Sequence, residues 1–510
     1  MNSAFEALAA LGTQRLQTPP PPPHELLTAS WQGLDWSSPE RALLRGAALM
    51  AAARTAGQLS TTGATVPAAS PDDTLPRLPE IAAQTLRVLL AGEFVECLPE
   101  FLARAANCGF RCAHRDLPAL LHRALASTSL RSEAMQVAAA RGTWLAEQNP
   151  DWQNLTKYAA VPSEAFDTGT AEQRVAWLRQ MRQQDLAVAT RALTETWKQE
   201  TGEQREQLLT VVAADPQPSD EPILMLALAD RRREVRQMAR AALRRLPTAQ
   251  VTQHAMARLH DLVQAVGRGT AIQLTVTLPE AYRPEWRSLG IDEKPPQGTG
   301  AKAFWARQLL AAIPLAHWPR AFGLSAEALF LANRDAESRD VLWLAWSDAA
   351  GDCADDTAVT AFALALFAEE HRPTQLADPT AVVTTALRAA PGAFARFFAH
   401  KTAWQSTRAP AAQQQLLPAE RIAFAFDQVL PDACGDQLLA HLLDGWRRGV
   451  QRFAAAQSRH LAARFPAASC STALRDLNTL STPTSDAESF VRMIEFRSSY
   501  LDALPSHATP

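Results

Sequence analysis

Apolar residues recur at helical spacing along nearly the whole chain, and runs in which Val, Ile or Thr alternate with polar residues are rare. This pattern constrains the fold more than any single motif. A period of 3.6 gathers apolar side chains on one face of a helix, and that face needs a neighbouring element to cover it. Abundant alanine points the same way, because it loses no side-chain entropy in a helix and lets helices approach closely. The sequence therefore predicts an all-α fold. The one credible strand is Ala271–Leu278, AIQLTVTL, where Ile272, Leu274 and Val276 alternate with polar neighbours. A lone strand makes no sheet, so a small β ribbon at most is expected there.

Punctuation divides the chain into four parts. Residues 1–79 carry a helix at Ala4–Leu16, a stiff polyproline spacer at Pro19–Pro23, a helix starting at Ser38–Pro39, and a loop over Gly57–Pro79. Residues 80–266 form a helical region, with a break or kink at Pro99 and a final helix over Val251–Val266. Residues 267–300 form an irregular insertion containing the strand. Residues 301–510 resume the helices.

The clearest hairpins lie within 171–250. In Leu226–Leu246, Asp230 closes one helix and the next carries Val235, Ala239, Ala242, Leu243 and Leu246 on one face. Arg236 follows Asp230 by six residues. Asp185 and Arg191 repeat that spacing 45 residues earlier, and the pairs Leu178/Ile223 and Leu193/Met238 keep the same offset. A period of roughly 40–47 belongs to HEAT repeats. Asn333 and Arg339, in LANRDAESRDVLWL, read as a weaker third copy. The expected architecture is an irregular α-solenoid of HEAT-like hairpins. In it, each turn acid meets the arginine of a neighbouring repeat in a ladder.

Charge and cysteine content narrow the function classes. The formal net charge is −3, so no overall field draws the chain to nucleic acid or anionic lipid. Six cysteines are too few for a disulfide scaffold and suit a reducing cytoplasm. No run is apolar enough to span a membrane, and Ala4–Leu16 lacks the basic start of a signal peptide. Cys108, Cys112 and His114, with Cys97 and His122 nearby, lack the common CxxC spacing of a zinc site. Gly298–Lys302, GTGAK, is not a Walker loop, because Ala301 separates Gly300 from Lys302 and Ala303 follows. Glu369–Glu370–His371 reads as a solvated helix end. Neither catalytic nor metal-binding residues are expected, and no cofactor.

Seven arginines cluster over 231–245, and Arg233, Arg236, Arg240 and Arg244 share one stripe of a helix. No aromatic residue interleaves with them. The stripe is read as a solvated face joined to the ladder, or as a surface for an acidic protein, with nucleic acid as the alternative. Arg233, Arg240, Arg244, Trp286 and Lys294 form the candidate partner-binding surface. The remaining tryptophans are expected mostly in the core.

Four segments carry a resemblance: RGTWLAEQNPDW (Arg141–Trp152), the Asp230–Leu246 hairpin, the stretch Trp286–Trp318, and MIEFRSSYL (Met493–Leu501). Over roughly 115–345 and the tail, the chain resembles a bacterial helical family of unknown function. Genes of that family usually stand beside those of a MoxR-type AAA+ ATPase, a von Willebrand A-domain protein and a SWIM zinc-finger protein. The resemblance implies a place in such a system and no catalytic residues. The family's DGI turn is LGI here (Leu289–Ile291), so any role of that Asp does not carry over. The expected function is a non-catalytic scaffold or adaptor for protein partners.

Overall fold

The computed structural model describes residues 19–22, 27–56, 67–158, 165–267, 271–405, 416–450, 453–480 and 483–505. The expected helix Ala4–Leu16, Pro23 at the end of the proline run, and positions 57–66 of the expected loop lie outside these residues. The chain divides into two compact units, Met1–Ala69 and Ser70–Pro510.

The first unit contains α1 (Thr28–Gln32) and α2 (Pro39–Ala56), the latter opening on the expected N-terminal proline. Trp31 is buried, and its indole N–H donates to the Pro20 carbonyl at 2.9 Å. The proline run is thus held to a helix at Pro20 rather than standing off as a free spacer.

The second unit begins with α3 (Glu80–Ala91), α4 (Leu98–Asn107), α5 (Leu117–Ala126), α6 (Arg131–Gln148) and the short α7 (Ala165–Thr168). Pro99 does not kink a helix. It sits in the first turn of α4, where its missing N–H costs nothing. The interruption falls instead in α6, at Ala139, with φ 54° and ψ −158°.

Three hairpins follow: α8 (Ala171–Gln184) with α9 (Leu186–Thr196), α10 (Gly202–Ala214) with α11 (Glu221–Leu228), and α12 (Arg233–Arg244) with α13 (Gln250–Ala257). Their first helices begin at 171, 202 and 233, a strict step of 31 residues. The local cause is a repeated start signal. Thr170 and Thr201 each cap the helix that follows, and Gln173 and Gln204 close the capping box in return. α8 packs on α10 and α10 on α12, and α9 packs on α11. Leu178 and Leu209, and likewise Leu193 and Leu224, hold equivalent core positions 31 residues apart.

After α14 (Leu259–Leu262) comes a three-stranded sheet of β1 (Val263–Val266), β2 (Gln273–Val276) and β3 (Asn333–Arg334). β2 lies central, antiparallel to β1 and parallel to β3. The predicted strand therefore has two partners: β1, which falls in the end of an expected helix, and β3, which falls at the expected turn of the third repeat copy. The helix expected to run to Val266 stops at Leu262, and the chain leaves β1 at Gly267. There φ is +108°, and a Cβ would stand 2.2 Å from the Ala271 carbonyl oxygen.

The remaining helices are α15 (Ala301–Ala311), α16 (His317–Phe322), α17 (Ala326–Phe330), α18 (Ala336–Ala350), α19 (Asp356–Ala368), α20 (Thr380–Ala389) and α21 (Pro391–Ala399). They are followed by α22 (Pro418–Ala425), α23 (Gly435–Arg447), α24 (Ala455–Ala463), α25 (Cys470–Leu477) and α26 (Ser485–Leu501). They pack in two rows. One runs α15, α18, α20, α22, α24, α26, and the other α17, α19, α21, α23, α25. Each helix covers the apolar face of the next in its row, as stacked hairpins do. The last helix returns to the first helices of this unit, because α26 packs on α3. Arg497 there holds Glu100 through bonds of 2.9 and 3.0 Å, and the Tyr500 hydroxyl adds a third at 3.0 Å. One apolar core joins residues 78–155 to 259–504, and a separate core serves the three 31-residue hairpins. The fold is all-α apart from the small sheet. No described helix is long and apolar enough to cross a membrane.

Candidate functional site

The 45-residue ladder does not form. Asp185 caps α9, accepting from the Val188 amide at 3.0 Å, and Arg191 is exposed without an ion-pair partner among the described residues. Asp185 precedes the second helix of the first hairpin, whereas Asp230 precedes the first helix of the third. The two positions are not equivalent. Both read alike because Asp suits any turn that opens a helix. The rungs that do exist join successive hairpins. Arg174 clasps Glu200, Arg182 clasps Asp220 with two bonds of 2.8 Å, and Arg205 clasps Asp230. Arg174 and Arg205 lie 31 residues apart and stack over Phe166 and Trp197, themselves 31 apart. The sequence signal for this register is TAEQR at Thr170 against TGEQR at Thr201, which the 45-residue reading passed over. The third predicted pair also dissolves. Asn333 lies in β3, its amide bonded to the Ile272 carbonyl, and Arg339 donates to the Arg334 carbonyl at 3.4 Å, with no acid partner among the described residues. The acid that caps α18 is Asp335.

The arginine stripe turns inward. Arg236 donates to the Asp230 and Arg231 carbonyls at 2.9 Å each and pairs with Asp292 at 2.5 Å. Arg240 is 8% exposed and donates to the Gly290 carbonyl. Burial, with Arg244 adding repulsion, pulls its guanidinium down to about 10. Arg244 pairs with Asp352 and donates to the Ala311 and Asp348 carbonyls at 3.1 and 2.8 Å. Trp286 is buried at 3% exposure, edge-on to Tyr282 at 5.6 Å. Arg240, Arg244 and Trp286 therefore do not belong to a partner surface as expected. They fasten α12 to the insertion and to α15 and α18. Gly290 permits the close seating: its φ is +72°, and a Cβ there would come within 2.8 Å of Leu228 Cδ2.

Where α12 and the insertion meet, they leave a cleft of about 930 Å³. One wall is the α11–α12 turn with Asp230, Arg231, Arg233 and Arg236. The other is formed by Tyr282, Pro284, Arg287 and residues 290–296, and Phe304 also lines it. The insertion wall is held by its backbone. Gln308 bonds both the amide and the carbonyl of Asp292, at 2.9 and 3.1 Å. Trp305 donates to the Glu293 carbonyl at 2.8 Å, and the Tyr282 hydroxyl to that of Ile291 at 2.9 Å. Burial, then the nearby Glu293, pushes the Tyr282 phenol up.

The charge of this cleft is unevenly spent. Asp230 is held by Arg205, and Asp292 by Arg236 with Arg233 at 3.8 Å. Arg231, Arg287 and Lys294 are exposed and have no acid partner among the described residues, and Arg233 is 52% exposed. Two of the five residues expected on a partner surface, Arg233 and Lys294, thus lie here. Arg231 and Arg287 join them, and sequence reasoning did not single them out. The described lining holds no Ser, Thr, Cys or His.

The other candidates lie elsewhere. Cys97 and Cys112 are buried, and burial pushes both thiols up to about 12. Cys108 donates to the Pro505 carbonyl, and His122 is exposed. His114 sits between Asp73 at 3.0 Å and Arg141 at 3.1 Å. Among the described residues no three His, Cys, Asp or Glu side chains gather to hold a metal ion. Gly300 precedes α15 as a helix entry, and Lys302 is exposed. Glu369 departs from the solvated end expected of it. It accepts from the Trp343 indole at 3.0 Å and lies 3.6 Å from Arg334, whose guanidinium is 4.9 Å from the ring centroids of both Trp343 and Trp346.

These features define a class: an all-α protein of stacked helical hairpins, with a basic cleft where one hairpin meets an irregular insertion. The chain belongs to the family of unknown function DUF5691, whose model matches residues 5–504. No curated protein and no solved structure matches it.

Proposed function

We propose that this chain is a non-catalytic helical-repeat adaptor, and that it docks a protein partner in the cleft between α12 and residues 282–296. The observation that carries this reading is the trio of exposed cations without acid partners, Arg231, Arg287 and Lys294, on walls already held in place. Preorganised walls reduce the ordering cost of binding. The described lining carries no Ser, Thr, Cys or His side chain, and two of its carboxylates, Asp230 and Asp292, are engaged by arginines, which supports docking over chemistry. The stacked hairpins act as an α-solenoid frame for the cleft, in the cytoplasm. The resemblance to the bacterial family puts a MoxR-type AAA+ ATPase and a von Willebrand A-domain protein first among the partners to test.

The test is recovery of the tagged full chain from its native host after cross-linking. The ATPase or the A-domain protein should be recovered with the unaltered chain and depleted with an Arg287→Glu/Lys294→Glu variant. Recovery of neither protein removes the named partners. Equal recovery with both chains removes the cleft as the docking site.

A further inference from the structure

We infer that the occupant of this cleft is an extended, acidic stretch of polypeptide, with carboxylates interspersed with aliphatic side chains. The inference rests on the docking reading above and specifies its chemistry. The available charge is the first argument. Asp230 and Asp292 are spent within the protein, so the cleft offers Arg231, Arg287, Lys294 and the half-engaged Arg233 against one exposed carboxylate, Glu293. Clustered cations concentrate anionic ligands and suppress cationic ones.

The arrangement of the cations is the second argument. Arg231 and Arg233 stand on the α11–α12 wall, Arg287 and Lys294 on the insertion wall, and Arg231, Arg287 and Lys294 share no acceptor. The cations therefore line the cleft from both sides. An extended chain sends successive side chains to opposite sides, so it presents carboxylates to both walls at once. Ile291, Phe304 and the rings of Pro284, Pro295 and Pro296 give apolar surface for the intervening side chains. A nucleic-acid strand fits less well. Trp286 is buried and the Tyr282 ring is packed against it, so neither offers a free face for stacking bases.

The experiment is fluorescence anisotropy on the full chain. The probes are a labelled short peptide of Asp and Glu with interspersed Leu, the same peptide with Asn and Gln, and a labelled oligothymidylate of similar length. The acidic peptide should bind and weaken steadily as salt rises. Arg287→Glu/Lys294→Glu should weaken it about tenfold or more without changing the melting temperature, because both side chains are exposed and unpaired. Equal binding of the amide peptide, an unchanged affinity of the double variant, or tighter binding of oligothymidylate each overturns the inference. The outcomes separate from those of the adaptor reading. A partner recovered through the cleft while the acidic peptide fails to bind overturns only the acidic occupant. Peptide binding without any recovered protein overturns only the adaptor.

Discussion

Arg182→Ala should loosen the junction between the first two hairpins, whereas Arg191→Ala should leave it intact. The Arg182 guanidinium makes two bonds of 2.8 Å to Asp220 and a third, at 2.7 Å, to the Asp215 carbonyl. Its side chain is 8% exposed and that of Asp220 is 0% exposed. Asp220 also accepts from the Thr190 hydroxyl and the Gln217 amide, each at 2.9 Å. Removing the guanidinium leaves a buried carboxylate with neutral donors alone. Breaking a buried pair from one side costs about 3–5 kcal/mol, and the two surviving donors put the expectation near the lower end. Arg191 is exposed and unpaired, so its loss should cost about 0.5 kcal/mol or less. Hydrogen exchange reads the difference locally. At about 1.4 kcal/mol per tenfold change, amides of α8–α11 should exchange roughly a hundredfold faster in Arg182→Ala. Amides of α18–α26, which share a different core, should not change. The double variant Arg182→Ala/Asp220→Ala should cost less than the sum of its parts, because the stranded charge is gone. If Arg191→Ala matches Arg182→Ala, or if protection falls equally in both arrays, the rung assignment is wrong.

Three further outcomes follow from named contacts. Gly290→Ala should destabilise the insertion by about 1–3 kcal/mol, through the positive φ and the approach to Leu228, seen as faster exchange over 282–296. Ala139→Gly should be neutral or stabilising by about 1 kcal/mol in thermal melts, because Gly alone adopts that backbone without strain. Asp73 tethers the segment before α3. Burial alone would raise its carboxyl pKa, but the Arg141 amide, His114 and Arg111 outweigh it and hold the value below the usual range. Its contribution is therefore full above about pH 4 and lost as pH falls through the lower folded value. Limited proteolysis over 67–78 should accelerate only in acid, and Asp73→Asn should flatten that pH dependence.

Local patterns in the sequence specify the helical class, the position of the central strand and helix starts such as that at Pro39. These depend on neighbours a few residues apart: a 3.6 period, a Pro at the first turn, a Thr and Gln three residues apart. The same local logic misled where it was carried further. An Asp before a helix and an Arg six residues later look identical at Asp185 and Asp230, since capping chemistry does not record which hairpin a helix belongs to. The repeat register was present in TAEQR and TGEQR, but a five-residue signal is easily outweighed by a coincidence of spacing. Only the tertiary structure decided which arginines meet solvent. Arg240, Arg244 and Trp286 became fasteners because a distant segment folds over α12, while Arg231, Arg287 and Lys294 form no ion pair among the described residues because the cleft's Asp230 and Asp292 pair with other arginines. A side chain's burial is set by what covers it, and here the cover comes from some 50 to 110 residues away, beyond the reach of any local pattern.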